Sequence, residues 1–283
     1  MFGLIDCETF YCSAESVFNP AFRNRPLMVL SNNDGTVVAM NRYAKQLGFS
    51  KFRPFFEIEY ETRKRNVIVT SSNYELYGNL SSRVFDVISA MVPEIEIYSI
   101  DECWTNTDNF DTDHRALGRN IVDRVFQYTR IPVRAGFGPN KTLAKVASTI
   151  AKNVPRANNV CVIDNDRQRE LILRKFPLDE IWGIGRRLNV HMKSEGIETA
   201  WDLASYDKKL LRRKFSVTVE RTARELAGER CLPFNEDLAN SQQIVVSRSF
   251  GQKVNSIKDL SGLSMRYLEL ATTKLRKKNL LTK

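Results

Sequence analysis

Ile97-Tyr98-Ser99-Ile100-Asp101-Glu102-Cys103-Trp104 places two adjacent carboxylates in a run that otherwise reads as an apolar strand. Burying even one ionised carboxylate without a partner costs far more than ordinary packing returns, so the pair requires a counter-charge. A second stretch offers a third acid: Phe2-Gly3-Leu4-Ile5-Asp6 is apolar up to Asp6, where Cys7-Glu8-Thr9-Phe10-Tyr11 begins. Asp6, Asp101 and Glu102 together would make an all-oxygen donor set suited to a hard cation such as Mg²⁺. Spacing alone leaves a plainer alternative open, that Asp101 and Glu102 flank a turn and face water on an edge strand.

A chain of 283 residues is long for one core and points to two or three domains. Hydrophobic residues make up 42% of it, which supports folded structure, and no apolar run reaches the length of a membrane span. The start Met1-Phe2-Gly3-Leu4-Ile5-Asp6 lacks the basic flank and apolar stretch of a signal peptide, so a cytoplasmic location is expected. Cys7, Cys12, Cys103, Cys161 and Cys231 are odd in number and scattered, which argues for reduced thiols. His114 and His191 lack ligand-like neighbours and read as surface residues. The net charge is +10, and it is unevenly spread: residues 1–165 hold 19 Lys/Arg against 18 Asp/Glu, whereas residues 166–283 hold 24 against 15. The second part is a candidate phosphate-binding surface, with a solvated basic face as the alternative.

Along the chain, Leu4–Asp6 reads as a strand, with a turn through Ser13 into a helix near Ala14–Phe18. Pro26–Ser31 and Thr36–Met40 make a hairpin about Asn32-Asn33-Asp34-Gly35, followed by a short helix closed at Gly48 and a strand over Asn66–Ser71. Leu76, Leu80, Val84, Ile88 and Met91 predict a helix over 74–91. Ile95–Asn106 reads as the acidic strand, with a hairpin around Asp108-Asn109. A helix marked by Leu117, Ile121, Val125 and Tyr128, a strand over Ile131–Gly138, a helix opening at Pro139-Asn140-Lys141 and a strand over Asn159–Ile163 follow. This order predicts an α+β, ferredoxin-like sheet with helices on one face, Asp6 lying near Asp101 and Glu102. Lys141, Lys145 and Lys152 of the last helix would be cations suited to a triphosphate near a carboxylate-bound metal.

Beyond Asp166 the chain reads as helical and basic. Trp182-Gly183-Ile184-Gly185-Arg186-Arg187 sets a Gly-x-Gly hairpin between two helices, exposing backbone N–H groups where a phosphate fits. An ordinary connection between helices would carry similar glycines. Gln243–Phe250 reads as a strand and Leu260–Leu275 as a helix, too little to form a domain alone.

Together these stretches resemble the Y-family translesion DNA polymerases, most closely their UmuC type. The resemblance is carried by Asp6 with Phe10-Tyr11; Leu30-Ser31-Asn32-Asn33-Asp34-Gly35; Ser71-Ser72-Asn73-Tyr74-Glu75-Leu76-Tyr77; Ile97 to Glu102; Lys141-Thr142-Leu143-Ala144-Lys145; Trp182 to Arg187; and Ser247-Arg248-Ser249-Phe250-Gly251. It implies a palm over 1–18 and 74–165, small α/β fingers over 19–73, an all-helical helix-hairpin-helix thumb over 166–234, a linker over 235–241 and an incomplete little finger over 242–283. It implies two Mg²⁺ ions held by Asp6, Asp101, Glu102 and the backbone carbonyl of Cys7. Phe10, Tyr11, Arg42, Lys45 and Lys152 would contact the incoming nucleotide, Tyr11 as the aromatic gate against a ribose 2′-OH. Gly183, Gly185, Arg186, Arg187 and Arg248 would contact DNA.

The implied activity is error-prone synthesis across damaged template, with primer-template DNA, deoxynucleotides, a UmuD-type accessory subunit and RecA as partners. No clamp-binding tail is seen, which puts contact with a sliding clamp in doubt. Glu8, Cys12 and Cys103 depart from the family pattern, and Arg42 stands where some relatives carry tyrosine. A chain of this kind that only binds DNA or regulatory partners, and a carboxylate-metal cyclase or nuclease, are the competing readings; the last explains neither Tyr11 nor the hairpin at Gly183–Gly185.

Overall fold

A computed structural model describes residues 1–234, 243–251, 253–277 and 279–281, so the expected linker over 235–241 lies outside the described residues. In chain order the elements begin with β1 (Phe2–Cys7), α1 (Phe10–Phe18), β2 (Leu27–Leu30), β3 (Val37–Met40), α2 (Arg42–Gln46), α3 (Phe55–Lys64), β4 (Ile68–Ser71) and α4 (Tyr74–Ser89). They continue with β5 (Glu94–Ile97), β6 (Glu102–Asn106), α5 (His114–Thr129), β7 (Val133–Gly138), α6 (Lys141–Asn153) and β8 (Val160–Val162). The rest is helical: α7 (Asp166–Leu173), α8 (Arg186–Ser194), α9 (Ala200–Ser205), α10 (Lys208–Lys214), α11 (Val217–Leu226) and α12 (Ile257–Lys277). Two compact units result, Met1–Pro20 with Asn73–Glu236 and Ala21–Ser72 with Asp237–Lys283.

The first unit is built on a sheet of order β5-β6-β1-β7-β8. β1 runs antiparallel to both neighbours at the centre of the sheet, and because helices cover both sides it is apolar on both faces; β7 pairs with β8 in parallel. Successive residues of a strand face opposite sides. Gly136 and Gly138 of β7 lie directly under α6: a Cβ on Gly136 would sit 2.1 Å from the Ser148 backbone nitrogen. Ala135 and Phe137 point the other way, toward Gly118 of α5. The expected single helical face therefore holds for α4 and α5, which pack together. α6 departs from it and covers the opposite side, beside Phe2, Leu4 and Trp104.

The acidic stretch also differs from expectation. It is not one strand but a hairpin, β5 and β6 pairing antiparallel with the chain reversing at 98–101. The backbone N–H groups of Tyr98 and Ser99 donate to the Glu102 carbonyl (3.1 and 3.0 Å), and the Ser99 hydroxyl accepts from the Asp101 and Glu102 N–H groups (3.3 and 3.1 Å). Such a serine offers the backbone a local alternative to a continuous ladder. Asp108-Asn109, expected to turn a hairpin, instead leads into α5. α1 starts at Phe10, four residues earlier than expected, because Thr9 takes the left-handed conformation (φ 42°) and turns the chain straight off β1.

α6 is covered on its outer side by the helical segment α7–α11, whose Leu178, Met192, Ile197, Leu203 and Leu226 share a core with Leu143, Val146 and Ala147. Glu225, wholly buried, sits at the first turn of α6, accepting from the Thr142 N–H (2.9 Å) and from the N–H groups of Cys231 (3.1 Å) and Leu232 (2.9 Å). A carboxylate there also complements the positive end of the helix. The Gly-x-Gly hairpin is present, but its first arm is a single 3₁₀ turn at Leu178–Glu180 rather than a helix. His114, expected at the surface, is half-buried, with Nε2 2.8 Å from the Thr107 hydroxyl.

In the second unit β2 pairs antiparallel with β3 and parallel with β4. The hairpin turn has Gly35 at φ +67°, and Asn41 caps α2 as its side chain accepts from the Ala44 N–H (3.1 Å). Helix α3 was not expected: only Ile58 and Thr62 are buried in it, and Arg63–Glu59 and Arg53–Glu57 pairs line its outside. Residues 243–250 form no strand, a correction to the expected one, and no residue of α12 is buried.

Candidate active site

The β1 register sets Asp6 opposite Glu102 on one side and opposite Arg134 on the other, so the three form one row across the sheet. Asp101 is the residue just before β6; its carbonyl accepts from the Cys7 N–H (2.9 Å), which draws it to the end of β1, and its Oδ1 accepts from the Ser99 hydroxyl (2.7 Å). The turn that the sequence left as the plainer alternative is thus present. β6 is an inner strand, so the pair does not lie on an edge.

The row faces α6. Lys145 lies 3.2 Å from Glu102 and 5.1, 6.0 and 5.4 Å from the ring centroids of Tyr98, Trp104 and Trp182. Arg134 reaches Glu8 (2.8 Å) and lies 3.6 Å from Asp6. Burial, reinforced by the charge of Glu102, pushes the Asp6 carboxyl up to about 6, against the pull of Arg134 and Lys152. The all-oxygen donors suit a hard divalent cation. They are not drawn together, however: among the described residues no group of three or more His, Cys, Asp or Glu converges to hold a metal. Burial raises the Cys103 thiol to about 12 and the Cys7 thiol well above its usual value, so both sulfurs are packed, neutral groups.

Beside this row Tyr11 stacks on Tyr77 (4.5 Å between centroids, 14° between planes) with Tyr74 edge-on at 5.9 Å. The Tyr77 hydroxyl donates to Glu15 (2.7 Å), which locks the stack. Phe10 is buried against Tyr77 and so supports Tyr11 from below. Lys152 is exposed on α6. Lys141, expected to join it near a triphosphate, is instead buried with both Glu96 oxygens 2.8 Å from its Nζ. At the hairpin Gly183 has φ +86°, Gly185 caps α8 without a side-chain partner, and Arg186 and Arg187 are exposed.

Arg42, Lys45 and Arg248 belong to the second unit. Arg42 and Lys45 are exposed on α2, Arg42 donating to the Tyr43 hydroxyl (2.8 Å), and Arg248 is exposed in the segment 243–250. Sequence reasoning missed Arg134, although it is the only charge in a strand of Val, Ala, Gly and Phe. It also missed the aromatic surroundings of Lys145, which no local spacing reveals.

Comparison with known proteins gives this arrangement its class. Among solved structures, the insertion ternary complex of Dbh DNA polymerase superposes with a TM-score of 0.70 at 25% identity, covering 81% of this chain and 69% of that one. DinB from Sulfolobus solfataricus superposes at 0.67 and 26%, covering 80% and 67%. The α+β fold is thus similar to that of Y-family polymerase structures. Residues 5–149 match the family described as IMS: impB/mucB/samB family, and the chain belongs to it. It is 41% identical over 280 residues to Protein UmuC of Salmonella typhimurium and 37% over 278 residues to Protein MucB of Escherichia coli, each alignment covering 98% of this chain. The chain spans 66% of the length of these curated relatives.

Proposed function

We propose that the chain is a template-directed, error-prone translesion DNA polymerase that adds deoxynucleotides to a primer 3′-OH opposite damaged bases. The observation that carries this reading is the Glu102–Asp6–Arg134 row with Asp101 beside it, facing a helix that bears Lys145 and Lys152. Asp6, Asp101 and Glu102, with the Cys7 carbonyl, would hold two Mg²⁺, whose chemistry when bound is to activate the 3′-OH and neutralise charge on the phosphates. Binding would require Glu102 to leave Lys145. Lys152 would meet the triphosphate, and Tyr11, held flat on Tyr77, would bar a 2′-OH.

The sheet with α1 and α4–α6 serves as the palm, residues 19–73 as fingers and residues 166–234 as thumb. Backbone N–H groups at Gly183–Gly185, with Arg186 and Arg187, would take DNA phosphates without reading sequence. A UmuD-type subunit and RecA are the protein partners this reading implies. No helix among the described residues is long and apolar enough to cross a membrane.

Primer extension with Mg²⁺ on intact and lesion-containing templates, run beside Asp101→Ala, tests the proposal. Loss of a carboxylate that holds the metal should cost about 10²-fold or more. Equal activity in both proteins would refute the assignment of Asp101. Extension by neither, with DNA still bound, would favour a chain that only binds DNA or partners.

A further inference from the structure

Arg134 is 5% exposed and sits at the β7 position paired with Asp6. Its guanidinium ends between two acids at unequal distances, Nη2 2.8 Å from Glu8 Oε1 and Nη1 3.6 Å from Asp6 Oδ2. It is committed to Glu8 and only adjacent to Asp6. The backbone places Glu8 for this: its N–H donates to the Pro132 carbonyl (2.8 Å), holding Glu8 alongside the start of β7. A buried guanidinium cannot stay unpaired, so without Glu8 it would close on the next carboxylate, that of Asp6.

We propose that Glu8 is not a fourth cation ligand but the counter-ion of Arg134, and that the Glu8–Arg134 pair is a positioning device that keeps the Asp6 carboxylate free for a divalent cation. The inference rests on reading Asp6, Asp101 and Glu102 as the cation site. Its consequence is a sign. Removing Glu8 turns Arg134 onto Asp6 and weakens cation binding; removing Arg134 as well abolishes the competition and restores it. A ligand role predicts the reverse pattern, with Arg134 variants strengthening binding through a freed Glu8 and the double variant as weak as the Glu8 variant.

The test is direct Mn²⁺ binding to the full chain without DNA or nucleotide, read from the electron paramagnetic resonance of free Mn²⁺. Glu8→Gln should raise the dissociation constant about tenfold, as loss of a partner behind a metal ligand does. The double variant Glu8→Gln/Arg134→Met should return to within about twofold of the parent; Arg134→Gln serves instead if the Met variant fails to fold. Unchanged binding in Glu8→Gln, or a double variant as weak as the single, overturns the proposal. Asp101→Ala separates the two levels: if it leaves Mn²⁺ binding untouched, the cation site itself is refuted and the positioning role falls with it. If Asp101→Ala weakens binding and Glu8→Gln does not, only the positioning role is lost.

Discussion

Lys141 and Lys145 lie one turn apart on α6, yet their environments predict opposite outcomes when each is removed. Lys141 Nζ is 2.8 Å from both oxygens of Glu96, the two side chains are 6% and 8% exposed, and the Trp104 and Phe234 rings lie 5.7 Å away. Water cannot replace either partner there. Lys141→Met therefore takes away the cation that Glu96 is buried against, at about 3–5 kcal/mol. At about 2–4 °C per kcal/mol for a unit of this size, the melting temperature should fall by about 6–20 °C. Removing the charge on both sides, Lys141→Met with Glu96→Leu, should recover most of the loss, because an apolar pair of similar volume fits the same space. Calorimetry and urea unfolding on the three variants read these values. A single variant costing less than about 1 kcal/mol, or a double variant as unstable as the single, would refute the buried-pair account. Below the melting range, primer extension by Lys141→Met should stay within about threefold of the parent, since the side chain does not face the acidic row, a bound taken from the usual small effect of changes away from the chemistry.

Gly136→Ala would place a Cβ 2.1 Å from the Ser148 nitrogen and 2.5 Å from the Ala144 oxygen, both helix backbone, so α6 must move off the sheet; a loss of about 1–3 kcal/mol or more is expected by urea unfolding. Gly183→Ala meets nothing within 4 Å and suffers only its φ of +86°, about 1–2 kcal/mol. Asp108 is held well below the usual carboxylate range, first by hydrogen bonding to Arg230 and also by the Met1 amine 2.7 Å away. A depressed folded pKa stabilises above the unfolded value of about 4 and is lost as pH falls. Thermal melts should therefore show Asp108→Asn less stable than the parent at pH 7, the gap closing below about pH 4. A gap that does not narrow between about pH 4 and pH 2 would refute the ion-pair origin.

How much of this was legible depends on the range of the interaction. Asp6, Asp101 and Glu102 stood out because charge inside apolar strands violates a local pattern, and the register then set Asp6 against Glu102. Helix α4 was equally visible, since Leu80, Val84 and Ile88 repeat at helical spacing and are buried. The turn at 98–101 was hidden because Tyr98 and Ile100 read as strand residues, and the bonds that close it, to the Glu102 carbonyl and the Ser99 hydroxyl, leave no pattern in the sequence. Helix α3 was hidden because its buried anchors are few, Ile58 and Thr62 with Phe55 partly buried, too sparse to make an apolar stripe. The fate of Lys141 was beyond reach of sequence: Lys141, Lys145 and Lys152 look alike until the strand Glu94–Ile97 places Glu96 beneath the first of them.

The position of α6 follows from two missing side chains. Gly136 and Gly138 let the helix backbone rest on β7, close enough for Lys145 to reach Glu102 across the sheet face. The same helix buries Leu143, Val146 and Ala147 against the segment that carries Gly183–Gly185, and Trp182 beside those glycines touches Lys145. Trp182 and Lys145 thus join the loop at Gly183–Gly185 to one carboxylate of the acidic row by direct packing. Glu225, sealed at the first turn of α6 with its acceptors filled, resists rotation of the helix as a whole.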